Sequence, residues 1–344
     1  MKTKIYFICP NNNFASGGVK QIYRQVETLN NNGFEAYILH KKTGKRDQWF
    51  NINVPIVYSP ALFKQLKYLY KKKKMTFTRK LILQFLAMRS KKIEKNAVLV
   101  FPEIYGPDIH SIEPEISKVI FNQNCYYTFV YFSIYEDYKI NPYNHPKTLA
   151  TIVASEDAKN YMQYAFPESR ILKMRLGINN DIFSYSDNKE KQICFMPRKL
   201  GDDVTQVISI LKQRNALKDW RLVPIDNKTE AEVAEIMKKS TFFLSFNHKE
   251  GFGLPPAEAM SCGCYVIGYT GQGGKEYFKP EFSSAVEDGN IIEFVQKIEA
   301  SIKAYENNPG DILQKGKRAS SYVSENYSLE NEIRDTIDIW NSVI

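Results

Sequence analysis

The chain has 344 residues, 43% of them hydrophobic and 25% charged. That length suits two domains of about 150 residues each, and the composition excludes a disordered chain, a collagen-like repeat and a small disulfide scaffold. The net charge of +9 is unevenly placed: residues 1–175 carry 27 Lys and Arg against 13 Asp and Glu (+14), and residues 176–344 carry 20 against 25 (−5).

In chain order, Lys4 to Cys9 reads as a first β-strand rather than a signal peptide, because no small-residue cleavage site comes after it. A polar loop leads to Gly17-Gly18, and Val19, Ile22, Tyr23, Val26 and Leu29 then recur at helical spacing up to Gly33. With a strand at Ala36 to Leu39 this makes a β–α–β unit, the building block of a parallel sheet. Residues 62–95 hold twelve basic residues, including Lys71 to Lys74, and one acid, Glu94. Leu62, Leu66, Leu69 and Tyr70 share a helical face there, and Leu81, Ile82, Phe85, Leu86 and Met88 continue the pattern. Such a basic amphipathic stretch suits an anionic membrane surface, the alternatives being a solvated face on core helices or a nucleic-acid contact for which no motif is present. The stretches 81–88 and 128–135 are too short to span a bilayer and are interrupted by Gln84 and Ser133.

Further strands are predicted at 98–101, 118–121, 151–154 and 171–174, with a helix over 157–165. Residues 177–191 are polar and read as a linker. A second alternation comes after it: strands at 192–196, 221–225, 242–246 and 265–269, helices over 204–214, 230–238 and from about Pro256, then three closing helices over 291–305, 312–326 and 329–343. The expected domains are 1–176 and 192–328, with helix 329–344 returning to the first, and a ligand cleft between the two. The five cysteines are odd in number without a C-x-x-C pair and read as buried thiols of a reducing cytoplasm. The four histidines show no metal-ligand spacing.

The chemistry concentrates in residues 245–268. Strand 242–246 delivers Glu250-Gly251-Phe252-Gly253-Leu254, and a helix starts at the prolines, where a missing N–H leaves no partner unmet. Loop N–H groups and a helix N-terminus together make an anion site, and Gly251 and Gly253 admit a close ligand. Glu250 and Glu258 bracket that site, and a carboxylate accepts from the vicinal hydroxyls of a sugar. The pair therefore suits a molecule with sugar, diphosphate and ribose in sequence.

Glu250-Gly-Phe-Gly-Leu-Pro-Pro-Ala-Glu258-Ala-Met resembles the E-x7-E signature of retaining glycosyltransferases of the GT-B fold, in the group called family 4. Ser16-Gly17-Gly18-Val19 through Asn32-Gly33-Phe34 is similar to that family's glycine loop and first helix. Arg175-Leu-Gly-Ile-Asn-Asn-Asp-Ile-Phe183 looks like its linker, and Ile193 to Lys199 stands where the family has a strand ending in Gly-Arg. Residues 45–150 match weakly.

The resemblance implies an α/β fold of two Rossmann-like domains facing across a cleft. Glu250 would hold donor-sugar hydroxyls and Glu258 the ribose. Arg198 and Lys199 would neutralise the departing diphosphate; Lys199 substitutes for a family lysine five or six residues after the arginine, where this chain has Asp203 and Val204. Gly17 and Gly18 would bring N–H groups to the phosphates, with Gly251, Phe252, Gly253, Leu254, Gly273 and Gly274 also around the donor. Asn122 and Asn124 are the acceptor-side candidates. No Asp-x-Asp occurs, so no metal and no cofactor beyond a nucleotide-diphosphate sugar is expected. The implied enzyme is a metal-independent, retaining, cytoplasmic or peripherally membrane-bound glycosyltransferase. It would act on a glycan or lipid-linked acceptor in bacterial surface polysaccharide or glycoconjugate synthesis, without nucleic acid. The alternatives are a sugar-nucleotide epimerase and a non-catalytic glycan-binding relative.

Overall fold

A computed structural model describes residues 2–11, 16–42 and 50–344. The chain divides into two compact units, one running up to Ala154 with Ala158–Met174 and Ile333–Ile344, the other comprising Ser155–Asp157 and Arg175–Glu332.

In the first unit, β1 (Lys4–Ile8) leads into α1 (Gly17–Asn31), then β2 (Glu35–His40), β3 (Ile56–Tyr58), α2 (Pro60–Tyr70), α3 (Phe77–Ala87), β4 (Val98–Pro102), β5 (Ser117–Asn122), β6 (Thr148–Val153), α4 (Glu156–Ala165) and β7 (Ile171–Lys173). The sheet order among the described residues is β3-β2-β1-β4-β5-β6-β7, with every pairing parallel. A parallel sheet covered by helices on both faces buries both sides of its strands. The residues Ile5, Tyr6, Phe7 and Ile8 and the run Val98 to Phe101 are accordingly all buried. Residues 333–344 pack into this unit: Trp340 is fully buried with its ring centroid 5.8 Å from that of Phe7, and Gln25 donates to Thr336 at 3.0 Å.

The second unit holds β8 (Glu190–Phe195), α5 (Gly201–Gln213), β9 (Arg221–Pro224), α6 (Glu230–Lys239), β10 (Ser240–Glu250), α7 (Leu254–Ser261), β11 (Tyr265–Gln272), β12 (Ser283–Val286), α8 (Ile291–Asn307), α9 (Pro309–Asn326) and the start of α10 (Leu329–Val343). Its parallel sheet runs β12-β11-β10-β8-β9. Val207, Leu211, Phe242, Leu244, Ile267, Phe294 and Ile298 form its core.

The structure departs from the sequence reading in places. The short edge strands β3 and β12 were not anticipated, since three or four residues carry too little periodicity to register. The polar stretch 177–191 groups with the second unit: Ile178 bridges Ser328, the Ser186 N–H reaches the Cys262 carbonyl at 3.4 Å, and Lys189 donates to that same carbonyl at 2.7 Å. All five cysteines are buried thiols.

Candidate active site

Parallel β/α sheets bind ligands at the carboxyl ends of their strands, where the strand order reverses. In the second unit that reversal falls between neighbouring β8 and β10, since β9 lies on one side and β11 and β12 on the other. Both strands deliver charge at that edge: β8 runs out into Arg198 and Lys199, and β10 ends on Glu250.

A bulge aims Glu250. Along the β10–β11 ladder Asn247 pairs with Thr270 and Glu250 with Gln272, so β10 advances three residues while β11 advances two. One extra residue bends the strand and redirects the side chains beyond it. Lys249 (φ 50°) and Gln272 (φ 70°) absorb the bend in the left-handed region, which non-glycine residues enter at a cost. The Lys199 ammonium makes an ion pair with the Glu250 carboxylate. Burial and then the Arg198 guanidinium lower the Lys199 pKa to about 8. The lysine is therefore charged at neutral pH, and the carboxylate against it reinforces that.

Asp203, where the resembled family carries its lysine, accepts a hydrogen bond from the Tyr269 hydroxyl at 2.9 Å in the first turn of α5. Val204 beside it is in the core. Neither position reaches out as a cation, and Lys199 is the basic group brought to Glu250.

Two glycine loops close around this edge. Gly253 sits at φ 86° as the residue before α7, and a Cβ there would lie 2.9 Å from both Asn247 Nδ2 and the Tyr277 hydroxyl. A Cβ on Gly273 would lie 2.3 Å from the Gly251 carbonyl oxygen, so the loops 251–253 and 271–274 touch backbone to backbone. Tyr277 fastens them, its buried hydroxyl donating to the carbonyls of Gly253 at 2.6 Å and Phe252 at 3.1 Å. Phe252 is buried against the Tyr277 ring, and a Cβ on Gly274 would press on the Tyr277 hydroxyl at 3.0 Å. Helix α7 begins at Leu254, two residues before the expected Pro256, which puts Pro255 and Pro256 within its first turn. Prolines lack an N–H, so anion donors at this helix start are confined to the loop and Leu254. Glu258 lies half-buried on α7, one turn further on.

Tyr277, the Asn247 side chain and the bulge were missed by the sequence reading. The aromatic Tyr277-Phe278 directly after the second glycine loop was the available signal.

In the first unit the strand order reverses between β1 and β4. Gly17 and Gly18 open α1 after β1, and residues 12–15 of the preceding loop lie outside the described residues. Gln123, also missed, donates from its side chain to the Gly18 carbonyl at 3.1 Å. Glu103, after β4, is buried, and its carboxylate accepts from the backbone N–H groups of Gln123 and Asn124, each at 3.2 Å. Burial raises its pKa to about 7 against the opposing pull of those N–H groups. Asn122 is fully buried and donates to Thr128 Oγ1 at 2.8 Å, and the Asn124 side chain accepts from the Tyr126 N–H at 3.1 Å. Both asparagines therefore brace the turn after β5.

Residues 200–318 match the family model described as Glycosyl transferases group 1, a span that includes Glu250, Glu258 and both glycine loops. In sequence the chain is 28% identical over 160 residues to an alpha-1,6-glucosyltransferase of Actinobacillus pleuropneumoniae serotype 7 (strain AP76). That match covers 43% of this chain and 48% of the relative, so the chain spans about half the length of the curated relative it matches. In structure it is similar to a mutant TarM of S. aureus, solved with Fondaparinux, alpha-GlcNAc-glycerol and UDP (TM-score 0.67, 12% identity, 98% of this chain and 100% of that chain). It is also similar to sucrose-phosphate synthase from Thermosynechococcus elongatus (TM-score 0.65, 13% identity, 99% and 98%). A third is the pneumococcal O-GlcNAc transferase GtfA, solved with UDP and GlcNAc (TM-score 0.63, 11% identity, 99% and 98%). At these identities the likeness establishes the fold alone: the chain has the α/β GT-B fold.

Proposed function

We propose that the protein is a retaining, metal-independent glycosyltransferase moving a sugar from a nucleotide-diphosphate donor to a glycan or lipid-linked saccharide. The observation that carries this reading is the cluster at the β8/β10 reversal, where Arg198, Lys199, a bulge-aimed Glu250 and two interlocked glycine loops occupy one sheet edge. Glu250 accepts hydrogen bonds from the donor sugar, and Glu258 from the ribose. As the bond between sugar and diphosphate breaks, negative charge grows on the leaving group. Arg198, Lys199 and the loop N–H groups receive that charge in this reading, as fixed cations and dipoles facing a leaving group do. In the absence of donor the Lys199–Glu250 pair keeps both side chains satisfied; donor binding separates them, the lysine to phosphate and the carboxylate to hydroxyls.

Gly17 and Gly18 of the first unit are proposed as further phosphate contacts. The acceptor is met at the inner face of an anionic membrane through residues 62–95, in the synthesis of a bacterial surface glycan. The named relatives support the chemistry: the curated one is a glucosyltransferase, and two of the structural neighbours were solved with UDP.

The test is transfer from nucleotide sugars supplied singly, with the anomeric configuration of product read by NMR. Glu250→Ala should lower turnover at least about ten-fold, some 1.4 kcal/mol of transition-state stabilisation. Near-normal turnover in the variant, or donor conversion without acceptor, would defeat the reading.

A further inference from the structure

Helix α3 has eleven residues, none of them buried. Only Arg79, Leu83 and Leu86 along it are even half-covered, yet Phe77 and Met88 are each 77% exposed, Phe85 51%, Leu81 48% and Ile82 39%. At 100° per residue Phe77, Met88, Leu81, Phe85 and Ile82 fall within one arc of about 140°, while Leu83 and Leu86 point away from it. An isolated helix of this length is marginal in water, and a contiguous exposed apolar face marks an interaction surface.

Charge identifies the occupant. Lys71 to Lys74, Lys80 and Arg89 around the arc are exposed, and the Arg89 guanidinium lies over the Phe85 ring at 4.7 Å. The one acid of the stretch, Glu94, is neutralised in place: its carboxylate accepts from Tyr6 at 2.7 Å and pairs with Lys4 at 3.0 Å and Lys91 at 3.2 Å. A second exposed apolar group is fastened to the same basic run. Tyr70 at the end of α2 stacks on Tyr131 at 5.1 Å, and Lys72 pairs with Glu136. Between those ties the loop presents Ile134 and Tyr135, 90% and 91% exposed.

We propose that α3 and the 131–136 loop form a two-point interfacial anchor on an anionic bilayer, Phe77, Leu81, Phe85 and Met88 entering the acyl boundary and Ile134 and Tyr135 the headgroup layer. Helices with lysines on one face and Phe or Leu on the other lie in the membrane plane in this way, and aromatic side chains settle at the interface. The identity of the lipid-linked acceptor rests on the transferase reading; the anchor itself does not.

The experiment is co-sedimentation of the full chain with vesicles of phosphatidylcholine alone and of an equal mixture of phosphatidylcholine and phosphatidylglycerol, at low and high salt. Binding is expected to the mixed vesicles only and to weaken with salt. Replacing Lys71, Lys73 and Lys74 with glutamine, which leaves the Lys72–Glu136 tie intact, should cost about five-fold in partitioning per lysine. Leu81→Ser with Phe85→Ser should cost at least about ten-fold at either salt, and Ile134→Ser with Tyr135→Ser should give a smaller loss. These side chains are exposed, so melting temperatures should stay unchanged and nucleoside-diphosphate binding intact. Glu250→Ala, conversely, should lose transfer and keep vesicle binding. Absence of sedimentation with the mixed vesicles, binding untouched by both the lysine and the Leu81/Phe85 variants, or retention by a soluble polyanion without vesicle binding overturns the anchor and leaves the transferase reading standing.

Discussion

Glu103 shows how much a single buried carboxyl does in this fold. Its carboxylate holds two consecutive backbone N–H groups at the end of β5, and the first of those residues, Gln123, holds the start of α1 through the Gly18 carbonyl. Nothing in the sequence around Phe101-Pro102-Glu103 announces this, because the partners lie about twenty residues away across a strand pairing. Glu250, by contrast, is a candidate from local sequence, through the glycines and prolines that come after it and through Glu258 eight positions on. The consequence for stability has a definite sign. Burial raises the folded pKa of Glu103 to about 7 from an unfolded value near 4.3, so between those values the folded chain binds the proton more tightly. Stability from this group is therefore greatest below the unfolded value, falls as pH rises through the window, and is level above it. The loss is on the order of 4 kcal/mol at one pKa unit per 1.36 kcal/mol. Glu103→Gln cannot ionise, so the difference between its denaturation midpoint and that of the parent chain should change between about pH 4 and pH 7 and become constant above. A pH-independent difference would mean the carboxyl is ionised throughout.

At the scale of elements, sequence and structure agree where an element is long or buried on both faces. The strands β1, β4, β8, β10 and β11 appear as apolar runs, and α8, α9 and α10 as sustained helical periods. The bulge in β10 escaped the reading because it depends on the register with β11, a relation between two segments that no local pattern encodes. The contact of the two glycine loops is likewise a matter of pairing. Gly273→Ala would place a methyl 2.3 Å from the Gly251 carbonyl oxygen and 2.7 Å from that of Glu250, both backbone atoms that can yield only by parting the loops. Overpacking of this kind typically costs about 1–3 kcal/mol, and nucleoside-diphosphate affinity should fall with it. Gly201→Ala is the matching control: it opens α5 and its Cβ would meet nothing within 4 Å. That change should be neutral, or stabilise by about 0.4–1 kcal/mol through the unfolded chain. Equal affinity losses in the two variants would remove the loop contact from the account of the site.

Across the whole chain, charge and ligand chemistry are divided between the two units. The first carries the basic excess and the exposed apolar face of α3; the second is net acidic, yet places Arg198 and Lys199 at one sheet edge. The proposed diphosphate-binding cations, Glu250, Glu258 and both closing loops all belong to the second unit, so a nucleoside diphosphate should stabilise that unit first. At 100 times its dissociation constant a ligand adds about 2.7 kcal/mol to the state that binds it. Hydrogen exchange should therefore slow in β10, α7 and the 271–277 segment on addition of the correct diphosphate, with a smaller response in β2 and β3. Because side-chain cations and N–H groups are proposed to meet the diphosphate, a chelator should leave that protection unchanged. Loss of protection on chelation would assign the charge neutralisation to a bound divalent ion and remove metal independence from the mechanism. Lys199→Gln separates the cases further. If the lysine faces phosphate, its loss should reduce the protection and make the remainder less sensitive to salt, since one charge contact has gone; if its partner remains Glu250 throughout, both should stay unchanged.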